Sequence, residues 1–468
     1  MRDNKIVIFI NISFNSFAMY TDAAFVKLNS LFETYCDKKD YLLWWRPHPR
    51  LENDLKNHNE CLYQKYITLK KRYIDAGLGV FDIDELFANV LDISDIYYGD
   101  CGTVVQEFIK RGKRVIYPNY TGLFFPLGIS KLGNYIYGTD HDTSAIVRYD
   151  IQMKNWEYVS MIDSTAGMKK AFHKSVVIDN NVYFIPYMAD CLVKYDIFNK
   201  SISVIELNIN SKKLGKKKTY FYGFYYYNDH LYLIPASYSD VLSVDLTTGE
   251  IIELFDLSDV TDQGQIITWL SWKEIESGVV AFVSMQRNQV LILDFNKNTK
   301  KIYDIGDSKY KYNAIRMKDN IIYLIVKNAP VILEWKYKEG IISEIRFDEN
   351  TFGDYGISIF DDHATCIFNN KLFCLPAKSR AAYSIDLTSK LINQLEVLDK
   401  YMTDDLSESQ FDTVTIGDDK IFIQNWQYKF LTFDLKTENV IEEAECKLSL
   451  MDTTRMEMDL IRNGRIKK

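Results

Sequence analysis

Proline and glycine are scarce, at 8 and 21 of 468 residues, so long disordered or low-complexity segments are not expected. Cysteine offers no framework either. Cys36, Cys61, Cys101, Cys191, Cys366, Cys374 and Cys446 are scattered without a CxxC pair, which argues against a zinc site or a set of disulfides and fits buried thiols in a reducing compartment. No apolar run approaches the roughly 18 residues of a membrane span, and the run IVIFI before Asn11 is too short for a signal peptide. A cytoplasmic chain without a membrane span is the expectation. Basic charge is not in excess: the net charge is -8, which argues against a general nucleic-acid binder. Residues 1–122 carry 16 charges of each sign, so all the surplus acid lies beyond them.

What is present divides into two kinds of pattern, and the length predicts two or three domains. In the first 120 residues short apolar runs alternate with helical periodicity. Lys5 to Ile10 (KIVIFI) reads as a strand covered on both faces. Asp22 opens a helix whose buried stripe is Phe25, Leu28, Leu31, Phe32 and Tyr35. Tyr41 to Trp45 (YLLWW) is a second strand, followed by Arg46-Pro47-His48-Pro49, where two prolines forbid helix and hold the imidazole in a stiff loop. Leu51 to about Ala76 reads as one helix, Gly79 to Phe81 as a strand and Glu85 to Leu91 as a short helix. Ile96 to Tyr98 is a strand, and the turn Gly99-Asp100-Cys101-Gly102-Thr103 feeds a helix that Gly112 stops. Arg114 to Tyr117 resumes a strand.

Such alternation predicts a parallel sheet with crossover helices, and ligands of such sheets bind beyond the strands' carboxyl ends. A glycine-bearing turn entering a helix leaves unpaired N–H groups at the positive end of the helix dipole, which suits a phosphate. His48 and the Asp100–Thr103 turn both follow strand carboxyl ends, so they are expected on one edge as an anion site.

The pair RPHP and, some 50 residues later, SDIYYGDCGTVVQEF…GKRVIY resembles the CDP-glycerol glycerophosphotransferase family of wall teichoic acid synthesis over about residues 1–120. The resemblance implies a Rossmann-like α/β half-lobe of the kind that forms the C-terminal lobe of GT-B enzymes, binding a CDP-alditol or other nucleotide-activated donor. It implies His48 as the catalytic histidine. It further implies nucleotide contacts from Asn11, Arg46, Asp100, Gly102, Thr103 and Glu107, the last as the ribose carboxylate. Two departures stand out: a serine of the family pattern is Gly102 here, and GKP is Gly112-Lys113-Arg114. The acceptor lobe that precedes this one in the family has no counterpart in the pattern, so transferase activity of the chain by itself is left open. No metal and no cofactor are implied.

From residue 123 one unit recurs: four short strands separated by turns, clearest from Val176, Tyr225 and Ile367. An acid after the third strand recurs at Asp150, Asp196, Asp245, Asp294, Glu334, Asp386 and Asp434, at spacings of 46, 49, 49, 40, 52 and 48. One such unit cannot bury both faces, and seven stacked radially can. The expectation is a seven-bladed β-propeller over 123–446, resembling kelch or quinoprotein propellers without the double-glycine kelch signature, and a C-terminal tail at 447–468.

The repeated acids read as acceptors for the N–H groups of their own turns. Pro186, Pro235 and Pro376 punctuate second strands. Tyr220, Tyr222, Tyr225, Tyr226 and Tyr227 read as strand core with a subset able to face a glycan, and Lys212, Lys213 and Lys216–Lys218 as a solvated basic loop. His141, His173, His230 and His363 show no ligand spacing.

Three functions stay open on the sequence. One is a surface-polymer biosynthesis protein that binds a CDP-activated alditol, its propeller recruiting a glycan or protein partner. Another is a non-catalytic propeller scaffold with a vestigial nucleotide lobe. A propeller enzyme such as a sugar lyase or oxidase has only fold analogy behind it.

Overall fold

The computed structural model describes residues 5–83, 88–215, 219–262, 265–266, 269–347, 360–376, 381–403, 410–417, 419–425 and 427–463. Lys216–Lys218 and the start of the helix expected from Glu85 lie outside these. The chain forms two compact units, one of residues 1–123, 157–167 and 447–468, the other of residues 124–156 and 168–446.

The first unit is built on a five-stranded sheet, entirely parallel, from β1 (Ile6–Asn11), β2 (Tyr41–Trp45), β3 (Val80–Phe81), β4 (Ile96–Gly99) and β5 (Arg114–Ile116) in the order β3-β2-β1-β4-β5. Alternate side chains leave opposite faces. Ile8, Ile10, Leu43, Trp45 and Tyr98 pack on one side with α1 (Phe14–Tyr20), α2 (Asp22–Tyr35), α3 (Leu51–His58) and α4 (Glu60–Asp75). Phe9 and Tyr97 pack on the other with α5 (Ala88–Ile93) and α6 (Thr103–Lys110). Both faces are therefore dry, which is why β1 is an unbroken apolar run.

Two helices differ from the expectation. Asn59 adopts an extended conformation and its side chain accepts from the Leu62 N–H, so the segment read as one helix is two, α3 and a capped α4. The short α1 was not anticipated.

Residues 447–468 contribute α7 (Leu450–Asn463), which packs on α2. Glu457 of α7 is buried and accepts from Lys27 Nζ (2.7 Å), the Asn119 N–H (2.7 Å) and Tyr98 Oη (2.8 Å). Lys27 also donates to Thr453 Oγ1 at 3.1 Å. Burial pulls the Lys27 ammonium below its usual range, and Glu457 opposes that shift. Arg114 donates to the Leu460 and Ile461 carbonyls (3.1 and 2.8 Å) near the end of α7, while Lys113 donates to the carbonyls of Leu91, Asp92 and Ser94 at the end of α5. The two basic residues after Gly112 thus serve helix C-termini, where cations are favoured.

The second unit and residues 157–160 make up a seven-bladed propeller. Each blade is four consecutive antiparallel strands: Pro126–Ser160, Phe172–Glu206, Phe221–Asp256, Trp269–Asp304, Tyr312–Arg346, Phe360–Gln394 and Phe411–Glu445. First strands of neighbouring blades touch one another, and fourth strands are largely exposed, so the first strand is the innermost. Among the described residues no strand is exchanged between the first and last blades. The ring closes through side chains and a backbone hydrogen bond: Tyr149 donates to Glu442 (2.5 Å), Tyr149 and Trp156 pack on Phe430 (4.8 and 5.0 Å), and the Phe124 N–H donates to the Cys446 carbonyl (3.1 Å).

The recurring acids cap the turns after third strands. Asp245 accepts from the N–H groups of Thr247 (2.7 Å) and Thr248 (2.9 Å), with the same pattern at Asp150, Asp294, Asp386 and Asp434 and a shortened form at Asp196. Glu334 does not belong to the series. It lies inside its strand, is buried, and takes Lys390 and Ser343 as partners, while Lys336 occupies the strand end.

Glu457→Ala should destabilise the chain by about 3–5 kcal/mol in urea unfolding, because Lys27 is left as an uncompensated buried charge. The double variant Lys27→Met/Glu457→Leu should recover most of that loss. The turn amides hold the carboxyls of Asp245, Asp386 and Asp434 below their usual range. Their contribution is therefore present above the unfolded pKa of about 3.9 and is lost as pH falls through the lower folded values. The stability deficit of Asp245→Ala against the parent should accordingly vanish in strong acid.

Candidate functional site

In the parallel sheet, β1 is followed through α1 and α2 by β2 on one side, and β4 lies on the other. The order reverses between β1 and β4, and a crevice opens at such a point outside the carboxyl ends of the strands. Asn11 ends β1, Arg46 and His48 follow β2, and Asp100, Gly102 and Thr103 follow β4, so all six stand on the carboxyl edge. Glu107 lies one turn into α6, about 6 Å along its axis from Thr103.

The N-terminus of α6 is open. Its N-cap is Gly102, which has no side chain to cap the helix, and Cys101, Gly102 and Thr103 are exposed. Gly102 is extended (φ 176°), and a Cβ added there would meet nothing within 4 Å. Glycine here is thus a matter of clearance in front of the amides and not of backbone necessity. Gly99 is the opposite case: an added Cβ would lie 1.9 Å from the Asn11 carbonyl oxygen. Only glycine lets β4 run this close to β1.

His48 is exposed, and its Nδ1 accepts the Arg50 N–H at 3.2 Å. Its own carbonyl accepts the Leu51 N–H that begins α3 (2.8 Å). The loop is therefore fixed at both the proline and the helix end.

The side chains of Asn11, Arg46, Asp100 and Glu107 have partners within the unit. Asn11 Nδ2 donates to the Arg46 carbonyl (2.7 Å), and the Arg46 guanidinium pairs with Asp82 (2.7 Å), which also accepts from Trp44 Nε1 (2.9 Å). Asp100 Oδ2 accepts the Ser13 N–H (2.6 Å), Oδ1 faces Tyr120 Oη at 3.5 Å, and the Asp100 carbonyl accepts from Tyr97 Oη (2.7 Å). Tyr120 stacks on Tyr20 at 4.8 Å. Burial, with the Asp100 carboxylate beside it, pushes the Tyr120 phenol far above its usual range. Glu107 pairs with Lys110 (2.7 Å), whose ammonium holds the carboxyl below its ordinary value.

Asn11, Arg46 and Asp100 are therefore joined into one lattice at the switch point, with His48 and the α6 amides exposed on either side of it. Ser13, Asp82 and Tyr120 belong to the same lattice and were missed. Ser13 and Asp82 each lie within two residues of a strand's carboxyl end, a rule that would have found both.

Among the described residues no group of three or more His, Cys, Asp or Glu side chains is placed to hold a metal ion, and no helix is long and apolar enough to cross a membrane.

No protein-family model and no curated protein matches the chain. Solved structures align with the chain at low identity. Virginiamycin B lyase from Staphylococcus aureus aligns at 11% identity over 64% of this chain and 91% of that one, with a TM-score of 0.49. BamB from Moraxella catarrhalis aligns at 8% identity over 69% and 85%, with a TM-score of 0.41. The computationally designed Ika8 protein aligns at 10% identity over 71% and 92%, with a TM-score of 0.46. The propeller assignment rests on the seven four-stranded sheets alone.

Gly99→Ala should lower stability by about 1–3 kcal/mol or more, through the clash with Asn11, whereas Gly102→Ala should stay within about 0.5 kcal/mol of the parent. Paired thermal melts read the difference directly.

Proposed function

We propose that the α/β unit binds a nucleotide-activated alditol of the CDP type through its pyrophosphate, and that the chain serves surface-polymer biosynthesis in the cytoplasm. The propeller, in this reading, recruits a glycan or protein partner. The observation that carries the proposal is the uncapped N-terminus of α6 opening on the same sheet edge as the proline-held His48. Unpaired helix amides and a positive dipole end favour phosphate oxygens, and Gly102 leaves room for them. Thr103 adds a hydroxyl at the same mouth, Glu107 stands a turn further along for a ribose, and Arg46, Asn11 and Asp100 brace the edge.

The reaction that fits this ligand is alditol phosphate transfer. An acceptor hydroxyl attacks the phosphorus that bears the alditol, the bond to the bridging oxygen breaks, and CMP leaves. Such chemistry needs positioned donors and charge neutralisation more than covalent help, and His48 would supply a proton-handling group beside the phosphates.

A second reading, a scaffold whose α/β unit no longer takes a nucleotide, is favoured by one specific observation: the side chains of Arg46, Asp100 and Glu107 are already paired within the unit.

Thermal unfolding with CDP, CDP-glycerol and UDP separates the two. Ligand at about 100 times its Kd should add about 2.7 kcal/mol to the unit that binds it, with the CDP compounds ahead of UDP. His48→Ala and Thr103→Ala should each shrink that response. A flat response to all three nucleotides leaves the scaffold.

A further inference from the structure

Every blade carries an irregularity near the start of its innermost strand, a one-residue bulge in five of them and a longer one in the first and sixth. The innermost strand opens on a residue paired with the end of the second strand, and the register then slips at once: after Phe172, Phe221, Trp269, Tyr312, Phe360 and Phe411, and after Leu127 in the first blade. A bulge leaves a residue unpaired and re-aims its side chain. At the start of the innermost strands it sets the side chains of His173, Tyr222 and Asn313 at the same end of the second, third and fifth blades.

In the fifth blade the bulged residue, Asn313, is buried and its amide serves the Phe360 carbonyl of the next blade. In the second and third blades the bulged residues are rings, His173 and Tyr222, and both remain partly exposed. They meet across the blade boundary at 4.9 Å, and Tyr187, from the loop after the second strand of its blade, joins them at 5.2 Å from His173 and 5.9 Å from Tyr222. Lys174 Nζ lies over the Tyr222 ring at 4.8 Å.

The rings are held by backbone and not only by one another. The N–H groups of Tyr187, Met188 and Ala189 all donate to the Ala171 carbonyl (2.8, 3.1 and 3.2 Å), and the Tyr187 carbonyl accepts the Tyr220 N–H (2.7 Å). Burial together with the ammonium groups of Lys174 and Lys170 pushes the His173 imidazole down to about 4, so at neutral pH it is an uncharged ring with a polar edge. An apolar residue would fill the same space at less cost in desolvation.

We infer that His173, Tyr187 and Tyr222 form a saccharide-binding platform on one rim of the propeller. Ring surface left open to solvent covers the C–H face of a pyranose, while the phenol and imidazole groups reach its hydroxyls. Pre-set rings lose little conformational freedom on binding. The inference deepens the propeller half of the proposed function, and its failure leaves the nucleotide reading of the α/β unit untouched, because the two are tested with different ligands on different units.

The test is isothermal titration of the full chain with cellohexaose and with chitohexaose at millimolar concentration. At least one should bind. Tyr222→Ala should then weaken binding about tenfold or more, Tyr222→Phe should stay within about twofold because the ring face is kept, and neither should alter the response to CDP-glycerol. His173→Gln gives an independent reading should Tyr222→Ala unfold. No heat from either oligosaccharide overturns the inference. Binding that survives both Tyr222→Ala and His173→Gln in folded protein overturns it as well.

Discussion

A sheet that is apolar on both faces cannot stand in water alone, and that single constraint organises both units. In the α/β unit the five parallel strands are sealed by α1 to α4 on one face and by α5 and α6 on the other. In the propeller each blade is sealed by its neighbours, as Ile325 and Ile332 of the fifth blade pack with Leu372 and Ile385 of the sixth. The fourth strands, which no further strand covers, turn polar or mixed. The remaining architecture follows from where the chain finds cover.

Strands that follow this constraint were readable from residue patterns, because continuous apolar runs such as IVIFI and the recurring strand-turn-acid unit are its direct imprint. The blade count followed from the period, even though one marker, Glu334, belonged to a different environment. Its neighbour Lys336 occupies the strand end, so the repeat survives there in backbone alone, without the carboxylate. The failures came where a local polar contact outweighed periodicity. Asn59 cuts a long helical pattern by capping α4, and α1 is too short to leave a periodic signature. The segment holding α7 could not be placed because its anchor, Glu457, is a charged residue whose buried partners, Lys27 and Tyr98, are more than 350 residues away.

The candidate site was legible at the level of its edge but not of its contacts. Strand order follows from crossover logic, and that logic put His48 and the α6 mouth together. The partners of Arg46 and Asp100 depend on Asp82, Ser13 and Tyr120, which converge only once the sheet is formed. Arg114, which stands where the resembled pattern has proline, satisfies carbonyls near the end of α7, a task that proline could not perform.

The uninterrupted course of every blade has a consequence for how such a ring changes over generations. Because the first and last blades do not share a strand, each blade is encoded by one contiguous stretch of gene, bounded by inter-blade segments. Duplication or loss of such a stretch alters the ring by one whole sector and leaves the pairing inside the others intact. The seam held by Tyr149, Trp156 and Phe430 needs only to re-form between whichever sectors then stand first and last.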